Sequence, residues 1–352
     1  MKLLRILLLT LFLALGALSA SQAEDTHQVF LPLIIRPPTP PVNWPEAQFG
    51  LNVTNFTTSG GINQVVESGA GWVRGPVVNW GGVEAVEGVR DWSVLAALDI
   101  ELDTVSQMGL TPILIVSGTP SWAQSVPEQT CGPILSEKLP AFASFMGELA
   151  DRYAGQVQFW ELYPTPDVDR NSLEAGPGCW GNPDDPFYGG GEYARMLAGV
   201  TPVIKSTNPN AQVLLGTLML DCDPDTPPPG RDCSSSRFLE GVLQAAGGQH
   251  FDAVAFQAAD GFAILDFPWG TAYQYSEPNW HSGWLNTGPV VMEKANFIRG
   301  VLEEYGVTDK RLVNTRAAIL CYACQNFPPF FVDKEGYLVQ TYAAALATGG
   351  VV

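Results

Sequence analysis

Four carboxylates, Glu161, Asp167, Asp221 and Asp260, fall at or just beyond the ends of short apolar runs. Paired carboxyl groups can cleave a glycosidic bond. A separation of about 5–5.5 Å suits a retaining mechanism, and roughly 6.5–9.5 Å an inverting one. One run exits oddly. In "FWELYPTPD", residues 159–167, the apolar stretch gives way to Pro164 and Thr165 rather than to an acid. Glu161 lies four residues before Thr165, so the two-residue period of a strand places both on one face, directed inward. A buried Glu161 calls for a cationic partner, and Arg74 and Arg316 are the candidates. The two arginines could instead hold an anionic ligand, such as a uronate carboxylate, through forked hydrogen bonds.

Six cysteines, Cys131, Cys179, Cys222, Cys233, Cys321 and Cys324, suit an oxidising compartment. Cys222 and Cys233 bracket a loop rich in Pro and Asp and are expected to pair. Cys321 and Cys324 form a C-x-x-C, and their pairing leaves Cys131 with Cys179. A zinc site is the rival reading. The three histidines (His27, His250 and His281) lie away from the cysteine pairs, which argues against it. The C-x-x-C lacks the surroundings of a thioredoxin-like redox centre. No metal and no organic cofactor are expected.

Apolar runs rich in Val, Ile and Leu recur along the chain as "FGLNV", "GWVRGPVV", "TPILIVSG", "VQFWELY", "AQVLLGTLML", "FDAVAFQA" and "RLVNTRAAI". Strands buried on both faces have this composition. Helix-period segments separate them. Phe142, Phe145, Met146, Leu149 and Tyr153 share one helical face, as do Val291, Ala295, Ile298, Leu302 and Tyr305. Helices also fit 92–109, 190–206, 235–246 and 337–347. Alternating strand and helix predicts parallel pairing through right-handed crossovers. Seven units are visible, and "TGGVV" at the end resembles the first part of an eighth strand. The expected fold is therefore α/β, a (β/α)8 TIM barrel truncated at the eighth strand. An open doubly wound sheet is the rival, but no Gly-rich phosphate loop follows any strand.

The first residues carry a leader signature. Lys2 and Arg5 precede an apolar run from Ile6 to Leu18, and Ser21-Gln22-Ala23 forms a small-x-small cleavage site. The expected organisation is a signal peptide over 1–23, a Pro-rich tether over 24–45 and a barrel over 46–352. Cleavage after Ala23 would remove Lys2 and Arg5. That leaves 16 basic against 36 acidic residues, a net charge of −20. So acidic a surface argues against nucleic acid and anionic lipid as partners. A secreted or cell-surface location follows, with no membrane segment beyond the leader. The oligomeric state is not legible.

Several of these runs carry a resemblance. "GWVRGPVVNWGGVEAVEGVRDW" (71–92), "PILIVSGTPSWA" (112–123), "YAGQVQFWELYPTPD" (153–167), "FDAVAFQAAD" (251–260) and "YGVTDKRLVNTRAAI" (305–319) stand in the order of strands two, three, four, six and seven of retaining glycoside hydrolases. The chain resembles their (β/α)8-barrel clan, clan A, particularly its β-xylosidase and cellulase-like branches, over nearly all of 46–352. The resemblance implies a carbohydrate partner and a catalytic pair at the fourth and seventh strand ends. It also exposes departures. The family's W-E-x-W-N-E-P lays its Asn on Pro164 and its acid/base Glu on Thr165. The T-E-x-G of the seventh strand puts the nucleophile on Arg316, and the H-x-Y of the sixth becomes Gln257, Ala258 and Ala259. A Thr hydroxyl has no pKa near neutrality with which to donate a proton. An Arg is permanently cationic, so it cannot attack a sugar carbon, and it would repel an oxocarbenium-like transition state.

Aromatic side chains gather after the strands: Trp122 after the third, Trp180 after the fourth, and Trp269, Tyr273, Tyr275, Trp280 and Trp284 in a long insert after the sixth. Such rings suit sugar faces, and equally the packing of an insert with its own small core. The residues expected to line a ligand site are Arg74, Trp122, Glu161, Thr165, Gln257, Asp260, Trp284 and Arg316. Three functions fit the sequence. The first is a catalytically inactive barrel that binds carbohydrate or a partner. The second is an active hydrolase with displaced carboxylates acting on plant or microbial polysaccharide. The third is an inert module presented at a surface.

Overall fold

The computed structural model describes Trp44 and residues 49–348, apart from 173–175, 246, 263–279, 282–283, 285–288, 322–323 and 325–327. The leader, most of the Pro-rich stretch, Trp269, Tyr273, Tyr275 and "GGVV" at 349–352 lie outside the described residues.

Strands β1 (Gly50–Asn52), β2 (Trp72–Asn79), β3 (Thr111–Ser117), β4 (Phe159–Leu162), β5 (Gln212–Leu218), β6 (Ala253–Phe262) and β8 (Arg311–Leu320) pair in parallel, each with the next. After each comes a helix: α1 (Ile62–Glu67), α2 (Ala96–Gln107), α3 (Leu139–Arg152), α4 (Gly190–Thr207), α5 (Phe238–Gln244), α6 (Val291–Glu304) and α7 (Pro328–Ala347). The result is the nearly closed wall of a (β/α)8 barrel. Among the described residues β8 does not pair with β1, and the gap between them falls where an eighth strand would stand. A two-residue strand, β7 (Trp280–His281), returns antiparallel onto the end of β6.

The pleat sorts side chains into two cores. Outward residues such as Val73, Leu114, Trp160, Leu215 and Val254 pack under the helices. The inward floor comprises Trp72, Ile113, Phe159, Leu214, Ala253, Ala255 and Val313, capped by Trp44. Trp44 packs at a tilt against Phe159, ring centroids 4.8 Å apart, and takes the Arg311 guanidinium over its face at 4.8 Å. Side chains thus span the gap at floor level. Higher up, Asn52 Nδ2 donates to the Thr315 carbonyl, and at the foot of β1 Phe49 meets Tyr342 of α7 edge-on at 4.9 Å.

Helix α7 begins nine residues before the expected 337. Pro328 and Pro329 open it, and proline is pre-organised for a first helical turn, where its missing N–H costs nothing. All six cysteines pair, as Cys131–Cys179, Cys222–Cys233 and Cys321–Cys324. Disulfides fit an oxidising compartment. Among the described residues no helix is long and apolar enough to cross a membrane, and no group of His, Cys, Asp and Glu is arranged to hold a metal.

Candidate functional site

Just above the floor, a charged network crosses the lumen. Glu161 on β4 is fully buried. Arg74 on β2 grips its carboxylate with two hydrogen bonds, Nε to Oε2 at 2.6 Å and Nη2 to Oε1 at 3.0 Å. Thr217 on β5 adds its amide (3.0 Å) and its hydroxyl (2.5 Å). The Thr217 hydroxyl also meets the Thr315 hydroxyl at 2.6 Å, and Arg74 Nη1 reaches Asn52 Oδ1 at 3.0 Å. Burial alone would raise the Glu161 pKa, but the Arg74 charge and the bonds from Arg74 and Thr217 outweigh it. Glu161 is therefore held ionised below the usual carboxylate range.

The strand geometry breaks at the end of β4. Tyr163 and Thr165 both adopt left-handed backbone, at φ 46° and 60°. That conformation is costly for bulky and β-branched residues and persists only where the surroundings enforce it. Here the Thr165 amide donates to the Thr217 carbonyl at 2.7 Å. Gly216 and Gly178 permit the close approach, since a Cβ on either would lie within 2.4 Å of a backbone oxygen of this turn. The pleat thus ends at Leu162, and the two-residue period does not carry from Glu161 to Thr165. The Thr165 hydroxyl turns to backbone acceptors, 2.6 Å from the Pro164 oxygen and 3.2 Å from that of Gly178.

Paired residues of a parallel sheet share a face, which fixes the aim of β6 and β8. Ala255 opposite Val313 is lumenal. A bulge then places Gln257 opposite Arg316, again lumenal, with Ala259 opposite Ala318 two residues on. Bulges re-aim side chains in this way. Arg316 is exposed, and its guanidinium makes no hydrogen bond or ion pair with the described residues. Among the described residues the cation paired with Glu161 is Arg74, not Arg316.

The other three candidate acids have other partners. The Asp167 carboxylate caps the Met219 and Leu220 amides at 2.9 Å. Asp260 pairs with Ile319 on the outward face, where it accepts the Val290 amide at 3.0 Å and the Tyr337 hydroxyl at 2.9 Å. Asp221 is half exposed and bound to Arg231 at 2.6 Å. Trp122 hydrogen-bonds the Glu84 carbonyl at 3.0 Å and packs edge-on to Trp80. Trp284 is buried, its Nε1 donating to the Leu220 carbonyl at 2.9 Å. The structure therefore brings together Arg74, Glu161, Thr217 and Thr315 below, and turns Gln257 and Arg316 to the same lumen above. Asp260, Trp122 and Trp284 face elsewhere.

Lys294 of α6 is buried behind the β5 and β6 ends, donating to the Met219 carbonyl at 2.6 Å and the Gln257 carbonyl at 3.0 Å. Burial lowers its pKa to about 8, against the opposing charges of Asp167, Asp260 and Asp221. Its signal in the sequence is a lysine on the apolar helical face of Val291, Ala295 and Ile298. Burial likewise raises Asp167 to about 6, opposed by the two capping amides and by Lys294. A folded-state pKa above the ordinary value of about 3.9 favours folding below that value, and the contribution is lost as pH rises through about 6. Urea unfolding between pH 4 and 6 checks the sign. Stability of the native chain relative to Asp167→Asn should fall as pH rises across this window. A difference that grows would contradict the assignment.

The fold is that of glycoside-hydrolase-like (β/α)8 barrels. A family 39 glycoside hydrolase from Bacteroides cellulosilyticus WH2 superposes with TM-score 0.59 at 15% identity, over 86% of this chain and 54% of that one. A glucosidase from Croceicoccus marinus gives 0.53 at 14%, over 88% and 59%. The chain thus spans somewhat more than half the length of each. A β-glucosidase from Thermotoga maritima in complex with glucoimidazole gives 0.52 at 15%, over 82% and 74%. No protein-family model and no curated protein sequence matches the chain.

Proposed function

We propose that this protein is an exported glycoside-hydrolase-like barrel that holds carbohydrate at its mouth without cleaving it. The observation that carries the reading is the engagement of the four candidate acids that the structure describes, Glu161, Asp167, Asp260 and Asp221. Glu161 is locked by Arg74 and Thr217, Asp167 by two amides, Asp260 by Val290 and Tyr337, and Asp221 by Arg231. What faces the lumen above them is an amide and a fixed cation, Gln257 and Arg316. Neither can protonate a leaving oxygen at neutral pH or attack an anomeric carbon. A Thermotoga maritima β-glucosidase of the same fold is in complex with glucoimidazole, which supports a sugar-like ligand for this barrel. The leader-like residues 1–23 and the three disulfides support export.

Native affinity electrophoresis through a polysaccharide series, with reducing ends measured in the same gels, tests this reading. Retardation by at least one polysaccharide with no new reducing ends is expected. Retardation by none would favour an inert module, and new reducing ends would favour displaced catalysis. Installing carboxylates as Thr165→Glu with Arg316→Glu should not create turnover of aryl glycosides. The Thr165 backbone is left-handed, and Gln257 and Ala259 replace the family's supporting His and Tyr. Measurable release of the aryl group by that double variant would show that the two positions alone determine activity.

A further inference from the structure

A cavity of about 260 Å³ opens in the gap between β8 and β1, reaching from the lumenal floor at Trp72, Ile113 and Val313 past Arg74 and Arg316 to Tyr342 of α7. That is just below the range of drug-sized ligand sites, about 300–1,000 Å³, and of a size for a single sugar residue's carboxylate end. Its charge is unusual for this chain. Acidic residues outnumber basic ones 36 to 18 overall, yet the charged side chains lining the cavity are two arginines, Arg74 and Arg316, with no carboxylate among the described residues. Glu161 stands behind Arg74 and cancels one of the two charges, leaving one positive charge uncompensated.

We propose that this cavity binds the carboxylate of a uronic acid residue in an acidic polysaccharide. The inference rests on the reading of the barrel as a carbohydrate binder and deepens it. Arg316 is turned inward by the β8 bulge and engages no described partner, so all five of its N–H donors are available. Arg74 spends three donors on Glu161 and Asn52, keeps two, and is fixed in place by the bonds it makes. A planar carboxylate matches the fork of a guanidinium in two parallel hydrogen bonds, whereas a neutral sugar hydroxyl leaves the charge unanswered. Asn314, also in the lining, supplies an amide suited to a ring hydroxyl, and Tyr342 supplies aromatic surface for the C–H face of a sugar. Burial of Glu161 and its pairing with Arg74 remove the repulsion that a lumenal acid would otherwise exert on such a ligand.

Isothermal titration of the full chain tests this with three probes of equal length: oligogalacturonate, its methyl ester and a sulfated neutral oligosaccharide. Oligogalacturonate is expected to bind at least tenfold more tightly than the other two. Arg316→Gln should abolish that preference, and Arg316→Lys should restore only part of it. Arg195→Gln, which removes the same charge from the exposed face of α4, should leave it intact. Equal affinity for the acid and its ester, or an Arg316→Gln variant that keeps the preference, would overturn the carboxylate assignment while leaving carbohydrate binding standing. Equal affinity for the sulfated sugar would overturn the selectivity for carboxylate. Binding of none of the three, together with no retention in the polysaccharide gels, would overturn the carbohydrate reading itself.

Discussion

Replacing Arg74 with alanine should cost about 3–5 kcal/mol of folding stability, because it strands a fully buried carboxylate without its counter-charge. Guanidinium unfolding at neutral pH measures it as a shift in midpoint at constant slope. The double variant Arg74→Met with Glu161→Leu should recover part of the loss, since no charge is then left buried. Recovery should be incomplete because the Thr217 amide and hydroxyl lose their acceptor, at about 1–3 kcal/mol for a buried group. The pH dependence has a definite sign. Glu161 is held below its ordinary pKa, so its contribution is present above the ordinary carboxylate range and is lost as pH falls through the lowered value. Acidification should therefore narrow the difference between the native chain and the Arg74→Ala variant. A single-variant loss below about 1 kcal/mol would mean that water reaches Glu161 and that the ion pair is not what fills the lumen.

The second large effect is expected at the Cys131–Cys179 bridge. It closes a loop of 48 residues between the β3 and β4 exits. Chain entropy assigns such a closure about 4 kcal/mol, against about 3 kcal/mol for the 11-residue Cys222–Cys233 loop. The bridge is also tied to the mouth. The Cys179 amide donates to the Cys131 carbonyl at 2.9 Å, and the neighbouring Gly178 oxygen faces the Thr165 hydroxyl. Cys131→Ser with Cys179→Ser should therefore lower stability more than the corresponding change at Cys222 and Cys233. It should also raise amide exchange at Thr165 and Val168 on the strained turn. Equal losses for the two pairs, with exchange at the turn unchanged, would contradict this assignment.

The seven parallel strands were legible because a strand buried on both faces is a short, continuous apolar run, and each such run became a strand of the wall. The lumenal aim of Glu161 was legible for a related reason: a lone acid amid Phe159, Trp160 and Leu162 must find a buried partner. Its choice of Arg74 over Arg316 was not legible, because that depends on which strands face each other across the lumen. Thr165 illustrates the limit of pattern reasoning. Alternation holds only while the pleat lasts, and the left-handed Tyr163 ends it. The β8 bulge that re-aims Arg316 leaves no mark in residue types, since it is a mismatch of register between two strands. Trp122 and Trp284 look like a sugar platform in sequence, yet hydrogen bonds to Glu84 and Leu220 fix both within the protein. The insert return at β7 was hidden too, as two residues of pairing are too short to give a periodic signal.

The most direct test of the central claim is prolonged incubation of the native chain with a panel of aryl β-glycosides, pentosides, hexosides and uronides included, at pH 5 to 8. The release rate is expected to match that of buffer alone across the range. Release above buffer that disappears in Glu161→Gln, Asp167→Asn or Asp260→Asn would identify a working carboxylate and contradict the claim.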